Sequence, residues 1–85
     1  MLNATIWTKN DCMYCSLSKK ELNRRGYKID ERNIDTLWTK EDLLKAVPNA
    51  KTVPQIFILK NKYIGRYDDL LKYFEETTSN YGDGY

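Results

Sequence analysis

The stretch Cys12-Met13-Tyr14-Cys15 contains the only two cysteines of the 85-residue chain. Residues 4–8, just before it, form an apolar β-type run, and residues 16–25, just after it, have the pattern of a helix. The cysteine pair is therefore predicted to lie where a strand leads into a helix N-terminus. Unpaired backbone N–H groups and the helix dipole stabilise a thiolate there, which lowers the pKa of the thiol.

Two thiols at Cys-x-x-Cys spacing can close into a disulfide and reopen, which indicates a redox motif next to a strand–helix–strand pattern. Two other uses of the pair stay open. The pair could supply two ligands of a zinc site, but the chain has no histidine and no third cysteine, so the other ligands would be carboxylates or would come from a second chain. A purely structural disulfide is the other, although joining residues that are already neighbours gains little entropy.

Length and composition indicate one small globular domain, since the chain is 41% hydrophobic and 31% charged. The net charge of +2 is too balanced to indicate a nucleic-acid or membrane partner. Residues 1–10 lack the long apolar run of a signal peptide, and no stretch is predicted to span a bilayer. We therefore expect a cytoplasmic, reducing location, where a thiol pair is more plausibly catalytic than structural.

The hydrophobic pattern predicts the element order β-α-β-α-β-β-α. Predicted strands cover residues 2–8, 27–34, 51–59 and 63–64, and predicted helices cover residues 16–25, 40–47 and 68–76. The first two strands should be parallel, because one helix crosses between them, and the last two should form a hairpin. We expect an α/β domain over residues 1–76, with a four-stranded mixed sheet and helices on both faces, and a flexible polar tail over residues 77–85.

In the first helix, Cys15, Ser18 and Leu22 are spaced to form a narrow stripe that faces the core. The basic residues of this helix are interpreted as a solvated face, with steering of an acidic partner protein as a weaker alternative. They are Lys19, Lys20, Arg24 and Arg25.

Three motifs, in this order, resemble those of glutaredoxins, which have the thioredoxin fold. They are Cys12-Met13-Tyr14-Cys15 after the first strand, Thr52-Val53-Pro54 before the third, and Gly65-Arg66-Tyr67-Asp68-Asp69 before the last helix. The similarity covers residues 2–76. The short length and the absence of proline at position 13 resemble small phage or bacterial glutaredoxins, and a phage-encoded chain would act in the host cytoplasm.

The resemblance implies a glutathione-dependent thiol–disulfide oxidoreductase, in which Cys12 is the exposed nucleophile and Cys15 is the resolving thiol. It also implies a cis peptide bond before Pro54, backbone groups of Val53 that pair with glutathione, and a contact of Lys9 with a glutathione carboxylate. The other positions that match the glutathione site of the family are Tyr14, Thr52, Asp68 and Asp69.

Some of these roles agree with the residues themselves. A residue before proline is extended, so Val53 can present its N–H and C=O to a peptide-like ligand. The positive charge of Lys9 near Cys12 favours a thiolate. The acidic start of the last helix suits a γ-glutamyl end, which carries a carboxylate and an ammonium group. Simpler explanations exist, namely a solvated lysine, a tyrosine packed on the sheet, a proline at a strand entrance and ordinary first-turn acids.

Two positions depart from the family pattern. Met13 stands where proline is common, which could shift the redox potential, and Arg66 replaces the second glycine of a usual pair, which could alter the affinity for glutathione. We expect glutathione as co-substrate, no metal, and a monomer that acts on disulfide-containing proteins, with ribonucleotide reductase as a substrate on family grounds.

Three alternatives stay open. One is a thioredoxin-like electron donor served by a flavoprotein reductase. Another is an iron–sulfur carrier, in which Cys12 of two chains and two glutathiones hold a [2Fe–2S] cluster. The third is a zinc-bridged dimer.

Overall fold

A computed structural model describes residues 2–82 of the chain, with side chains over residues 2–76. Its elements follow the predicted order. They are β1 (Asn3–Thr8), α1 (Met13–Arg24), β2 (Lys28–Asn33), α2 (Lys40–Ala46), β3 (Gln55–Ile58), β4 (Lys62–Gly65) and α3 (Tyr67–Gly82).

The strands form one mixed sheet in the order β2-β1-β3-β4. β1 pairs in parallel with β2, whereas β3 is antiparallel to both β1 and β4. This confirms the predicted four-stranded α/β fold. Trp7 near the end of β1 lies opposite Gln55 at the start of β3, so the segments that follow β1 and precede β3 meet at one end of the sheet.

Helices cover both faces of the sheet, as predicted. On one face, α1 and α3 pack on the sheet through a buried cluster of Ala4, Ile6, Leu22, Ile56, Ile58, Leu70 and Phe74. On the other face, α2 packs through Leu43 and Val47 against Trp7. Each fully buried aliphatic side chain contributes about 1.5–3 kcal/mol, so these two clusters hold the sheet between its helices.

The ends of α1 are set by two special residues. The helix begins at Met13, three residues earlier than predicted, because Cys12 is its N-cap and the Cys12 sulfur accepts the N–H of Cys15 at 3.1 Å. Gly26, just past the other end, has φ +85°, a left-handed conformation that glycine adopts without steric cost. The predicted stripe of Cys15, Ser18 and Leu22 is buried.

The last helix is longer than predicted. α3 extends to Gly82 and not only to residue 76, because neither proline nor glycine interrupts residues 67–81. Residues 77–82 of the predicted tail therefore belong to a helix, and residues 83–85 lie outside the described residues. The boundary of the domain at residue 76 stays a prediction. Over residues 2–82, no helix is long and apolar enough to cross a membrane.

Candidate active site

Cys12 and Cys15 are joined by a disulfide, with their Cα atoms 5.2 Å apart. The two sulfurs differ in their access to solvent, because Cys12 is half-buried whereas Cys15 is only 2% exposed. A disulfide of another molecule can therefore reach Cys12 from solvent, whereas Cys15 is buried and accessible only through Cys12. That difference matches the expected division into an attacking thiol and a resolving thiol.

The start of α1 directs one backbone N–H at the sulfur of Cys12 and another at its carbonyl oxygen. The N–H of Cys15 donates to the Cys12 sulfur, and the N–H of Ser16 donates to the Cys12 carbonyl at 3.2 Å. The first turn of the helix carries no acidic residue that would oppose a negative charge. Asp11, just before the cap, has φ +54°, a conformation that aspartate tolerates better than most residues. The geometry therefore suits a thiolate at position 12.

The loop before β3 faces this sulfur. The Val53–Pro54 peptide bond is cis, which confirms what the resemblance implied. The Val53 carbonyl oxygen lies 4.0 Å from the Cys12 sulfur. Residues 51–54 were predicted as part of the third strand, but the strand begins only at Gln55, since proline cannot donate to a strand ladder. The backbone of Val53, in a bend just before the strand, is thus placed beside the disulfide.

A cleft of about 480 Å³ opens beside this loop, and we call it the tyrosine cleft. The rings of Tyr14 and Tyr67 lie 5.8 Å apart at its wall. Its lining residues are Tyr14, Thr52, Val53, Pro54, Arg66, Tyr67 and Asp68. Five of these were predicted for a glutathione site. Tyr67 was missed, although its place inside the third motif was a usable signal.

Two residues predicted for the glutathione site do not line the tyrosine cleft. Asp69 accepts the backbone N–H of Arg66 at 2.9 Å, so its carboxylate supports the start of α3. It also lies against Gly65, where an added Cβ would stand 2.5 Å from the Asp69 Oδ2 atom. Lys9 is exposed and lines a different cleft.

This second cleft, of about 560 Å³, lies on the side of α1 and β2, and we call it the charged cleft. Its lining residues are Lys9, Asn10, Asp11, Cys12, Met13, Cys15, Ser16, Lys19, Glu31 and Asn33. The Lys19 ammonium lies 3.1 Å from both carboxylate oxygens of Glu31. Lys19 was interpreted as part of a solvated face, and its side chain is 33% exposed while it pairs with Glu31. The partners are 12 residues apart, so no local pattern indicated them.

Glu31 is held in its ionised form. Partial burial alone would raise the pKa of its carboxyl group, but hydrogen bonds from Thr8 and Lys19 outweigh that effect, and the pKa is lowered. The Thr8 hydroxyl donates to it at 2.7 Å from a fully buried position. Glu31 therefore places a fixed negative charge in the charged cleft, and Lys19 neutralises it.

The arrangement can carry out thiol–disulfide exchange. It offers one accessible sulfur, a second sulfur bonded to it, the N–H of Cys15 at the first sulfur and an open cleft beside it. In the part of the chain whose side chains are described, no three His, Cys, Asp or Glu side chains are grouped to hold a metal ion.

Comparison with known proteins agrees with this chemistry. The family model for glutaredoxin matches residues 4–64. Glutaredoxin 3 of Escherichia coli K12 is 39% identical over 70 residues, which cover 82% of this chain and 83% of that protein.

Solved structures share the fold. Glutaredoxin 1 of Francisella tularensis, in complex with cacodylate, superposes with a TM-score of 0.75 at 24% identity, over 93% of this chain and 99% of that one. A buckwheat glutaredoxin–glutathione complex gives a TM-score of 0.74 at 24% identity, over 87% of this chain and 69% of that one. Because the family model spans most of the chain and includes the Cys12–Cys15 pair, this chain belongs to the glutaredoxin family of thiol–disulfide oxidoreductases.

Proposed function

We propose that this chain uses glutathione to reduce glutathione mixed disulfides and protein disulfides. The observation that carries the proposal is that Val53, whose carbonyl oxygen lies 4.0 Å from the accessible sulfur of Cys12, lines the tyrosine cleft. Its volume of about 480 Å³ falls within the usual range for small-molecule sites. That the buckwheat relative was solved with glutathione supports the choice of ligand.

The groups of the cleft suit a tripeptide with charged ends. The N–H and C=O of Val53 can pair with the cysteinyl residue of glutathione as one strand pairs with another. Asp68, at the start of α3, can meet an ammonium group, while the N–H groups of the same helix end favour a carboxylate. We assign Thr52, Pro54 and Tyr14 to the walls. A contact from Lys9 requires the ligand to pass over Cys12 into the charged cleft.

The first step is an exchange at sulfur. The Cys12 thiolate attacks the glutathione sulfur of a mixed disulfide, a Cys12–glutathione disulfide forms, and the substrate leaves as a thiolate that takes a proton. A second glutathione thiolate then attacks the same sulfur of glutathione. It releases glutathione disulfide and regenerates the Cys12 thiolate, so one free glutathione is consumed and the other half of the glutathione disulfide comes from the substrate.

Protein disulfides take a second route. Cys12 forms a mixed disulfide with the protein, and Cys15 attacks Cys12, so the protein leaves reduced and the Cys12–Cys15 disulfide remains. Two glutathione molecules then reduce that disulfide. Glutaredoxins have potentials of about −200 to −230 mV, close to that of cytosolic glutathione, so the direction follows the glutathione pool.

We further propose that the chain acts as a monomer in the cytoplasm, with ribonucleotide reductase among its protein substrates. These assignments rest on the resemblance to the family. Arg66 favours a second candidate function, that of an electron donor that is itself reduced by a flavoprotein reductase. Its side chain is 57% exposed at the cleft and occupies a position where the family usually has glycine.

Reduction of hydroxyethyl disulfide, coupled to glutathione, glutathione reductase and NADPH, tests the proposal. We expect turnover that falls by at least about a hundredfold in Cys12→Ser, because the attacking sulfur is lost. Full activity in Cys12→Ser would refute the assignment of the nucleophile. Insulin reduction with thioredoxin reductase, without glutathione-linked turnover, would instead favour the flavoprotein-served donor. Brown colour after anaerobic purification would indicate an iron–sulfur carrier, and bound zinc would indicate a metal-bridged dimer.

A further inference from the structure

The loop that faces Cys12 has no regular structure of its own. Residues 51–54 belong to neither a strand nor a helix. Even so, the proposed contact with glutathione needs the backbone of Val53 at a fixed place, since its carbonyl oxygen lies 4.0 Å from the attacking sulfur. Groups outside the loop must therefore hold it.

The side chain of Gln55 makes one such connection. It is only 4% exposed, and its Nε2 atom donates to the carbonyl oxygen of Thr52 at 2.9 Å. Gln55 itself sits in β3 opposite Trp7 of β1, so this bond ties the loop to the two central strands of the sheet. A buried polar group that loses its partner is strongly disfavoured, so the bond resists any movement of Thr52 away from β3.

Tyr63 of β4 fixes the direction of the Gln55 amide. A carbonyl oxygen can only accept, so the amide nitrogen must face Thr52 and the amide oxygen must face away. On that side, the Tyr63 hydroxyl donates to Gln55 Oε1 at 2.5 Å. Partial burial and the Asp69 carboxylate raise the pKa of Tyr63, partly offset by Arg66, so the hydroxyl keeps its proton at neutral pH.

The ring of Tyr63 is itself held in place. It packs on Phe57, with the ring centroids 5.2 Å apart, and Phe57 pairs with Tyr63 across the β3–β4 ladder. The chain of contacts therefore runs from β4 through Gln55 to Thr52. By contrast, the Cys12 sulfur accepts the Cys15 N–H of the first turn of α1 at 3.1 Å, and it meets the loop only at the Val53 carbonyl oxygen, 4.0 Å away.

We propose that Gln55, oriented by Tyr63, is a positioning residue that fixes the Val53 backbone in front of Cys12 and thereby sets the affinity for glutathione-containing substrates. The inference rests on the proposed function. Since α1 holds the attacking sulfur separately, disturbing Gln55 or Tyr63 weakens ligand binding without changing the reactivity of the thiol.

Steady-state kinetics with a glutathionylated peptide test the inference. In Gln55→Leu we expect KM to rise about three- to tenfold and kcat to change less than about twofold, because one binding edge is loosened. Tyr63→Phe removes only the donor and should raise KM about two- to fivefold. Alkylation of reduced Cys12 by iodoacetamide, which needs no bound glutathione, should keep its wild-type rate in both variants.

The matched control is Tyr27→Phe, which removes the hydroxyl of another partly buried tyrosine. Tyr27 packs on Phe74 on the opposite face of the sheet, far from the loop before β3. We expect this variant to keep the wild-type KM. A KM increase equal to that of Tyr63→Phe would show a general effect of losing a hydroxyl and would overturn the inference.

A double variant adds a sharper criterion. Because Tyr63 acts through Gln55, adding Tyr63→Phe to Gln55→Leu should raise KM no further, whereas multiplying effects would overturn the inference. If Gln55→Leu fails to fold, Tyr63→Phe carries the test alone, since Tyr63 is half-exposed. Unchanged KM in an active background overturns the positioning role only. Failure of the wild-type chain to turn over the glutathionylated peptide overturns the proposed function itself.

Discussion

The two clefts beside the disulfide use their charged groups in opposite ways. In the charged cleft, the Lys19 ammonium forms an ion pair with the Glu31 carboxylate at 3.1 Å. In the tyrosine cleft, Arg66 and Asp68 are 3.9 Å apart and largely exposed, so the pair is loose. A loose, exposed pair contributes little to stability, and its groups remain available to a ligand. We expect binding in the tyrosine cleft, whereas both sulfurs, those of Cys12 and Cys15, line the charged cleft.

Cys15→Ser should have the largest effect, and it should separate the two proposed routes of reduction, because only the protein-disulfide route uses Cys15. We expect reduction of a protein disulfide to fall by more than about a hundredfold, because the mixed disulfide cannot resolve within the chain. Turnover of a glutathionylated peptide should stay within about threefold of wild type, since a second glutathione replaces Cys15. Equal loss of both activities would contradict this division.

Gly65→Ala should destabilise the turn between β4 and α3 beside the tyrosine cleft. Gly65 has φ +117°, and an added Cβ would stand 2.5 Å from the carboxylate oxygen of Asp69, which accepts the Arg66 N–H. Gly26→Ala is the matched control, because Gly26 also has positive φ but open space around it. In urea unfolding we expect the control to lose about 1–2 kcal/mol and Gly65→Ala to lose about 1–2 kcal/mol more. Equal losses of unfolding free energy would mean that the Asp69 side chain can move away from the added Cβ without cost.

Tyr67→Leu tests the aromatic wall. The Tyr14–Tyr67 ring pair should contribute to ligand packing, so we expect KM for a glutathionylated peptide to rise about three- to tenfold. Ser16→Ala, at an exposed position in the charged cleft, should change KM less than about twofold. If Ser16→Ala has the larger effect, glutathione binds on the other side of the disulfide.

Glu31→Gln should have the smallest effect, a loss of folding stability that depends on pH. The folded-state pKa of Glu31 lies below its ordinary value of 4.5, so the ionised carboxylate stabilises the fold above that value. This contribution is lost as pH falls through the lowered pKa. Urea unfolding should show wild type more stable than Glu31→Gln at pH 7, by less than about 1 kcal/mol because the pair is partly exposed, and the difference should shrink toward pH 3.

Lys19→Met provides the control for that experiment. In this background the Glu31→Gln substitution should cost less, because the main cationic partner is already gone. If Glu31→Gln costs as much stability in the Lys19→Met background as in wild type, the stabilisation comes from the Thr8 hydrogen bond alone.

Residues carried by short motifs could be predicted from the sequence. Tyr14, Thr52, Val53, Pro54 and Asp68 do meet in one cleft, because β1 and β3 pair so that their motif-bearing ends coincide. The element order could also be predicted, since each element has its own hydrophobic period.

Side chains that depend on strand register could not be predicted. Thr8 and Glu31 are 23 residues apart, and only the pairing of β1 with β2 brings them together. The Gln55–Tyr63 bond likewise depends on how β4 folds back on β3. The resemblance grouped Asp69 and Lys9 with the other predicted glutathione residues, and these two roles stay predictions. Their place outside the tyrosine cleft could not be read from the motifs, because neighbours in sequence carry no information on which side of the disulfide they face.

The Cys12–Cys15 link and the tyrosine cleft form by very different kinds of contact. The link joins residues three apart, so an unfolded chain can close it at little entropic cost. The β1–β3 pairing that forms the cleft also brings together Cys12 and Val53, 41 residues apart, and such non-local pairing is slow because a long loop must close first. An oxidised cysteine pair is therefore no sign of a folded chain. The tyrosine cleft, by contrast, exists only where β1 and β3 are paired.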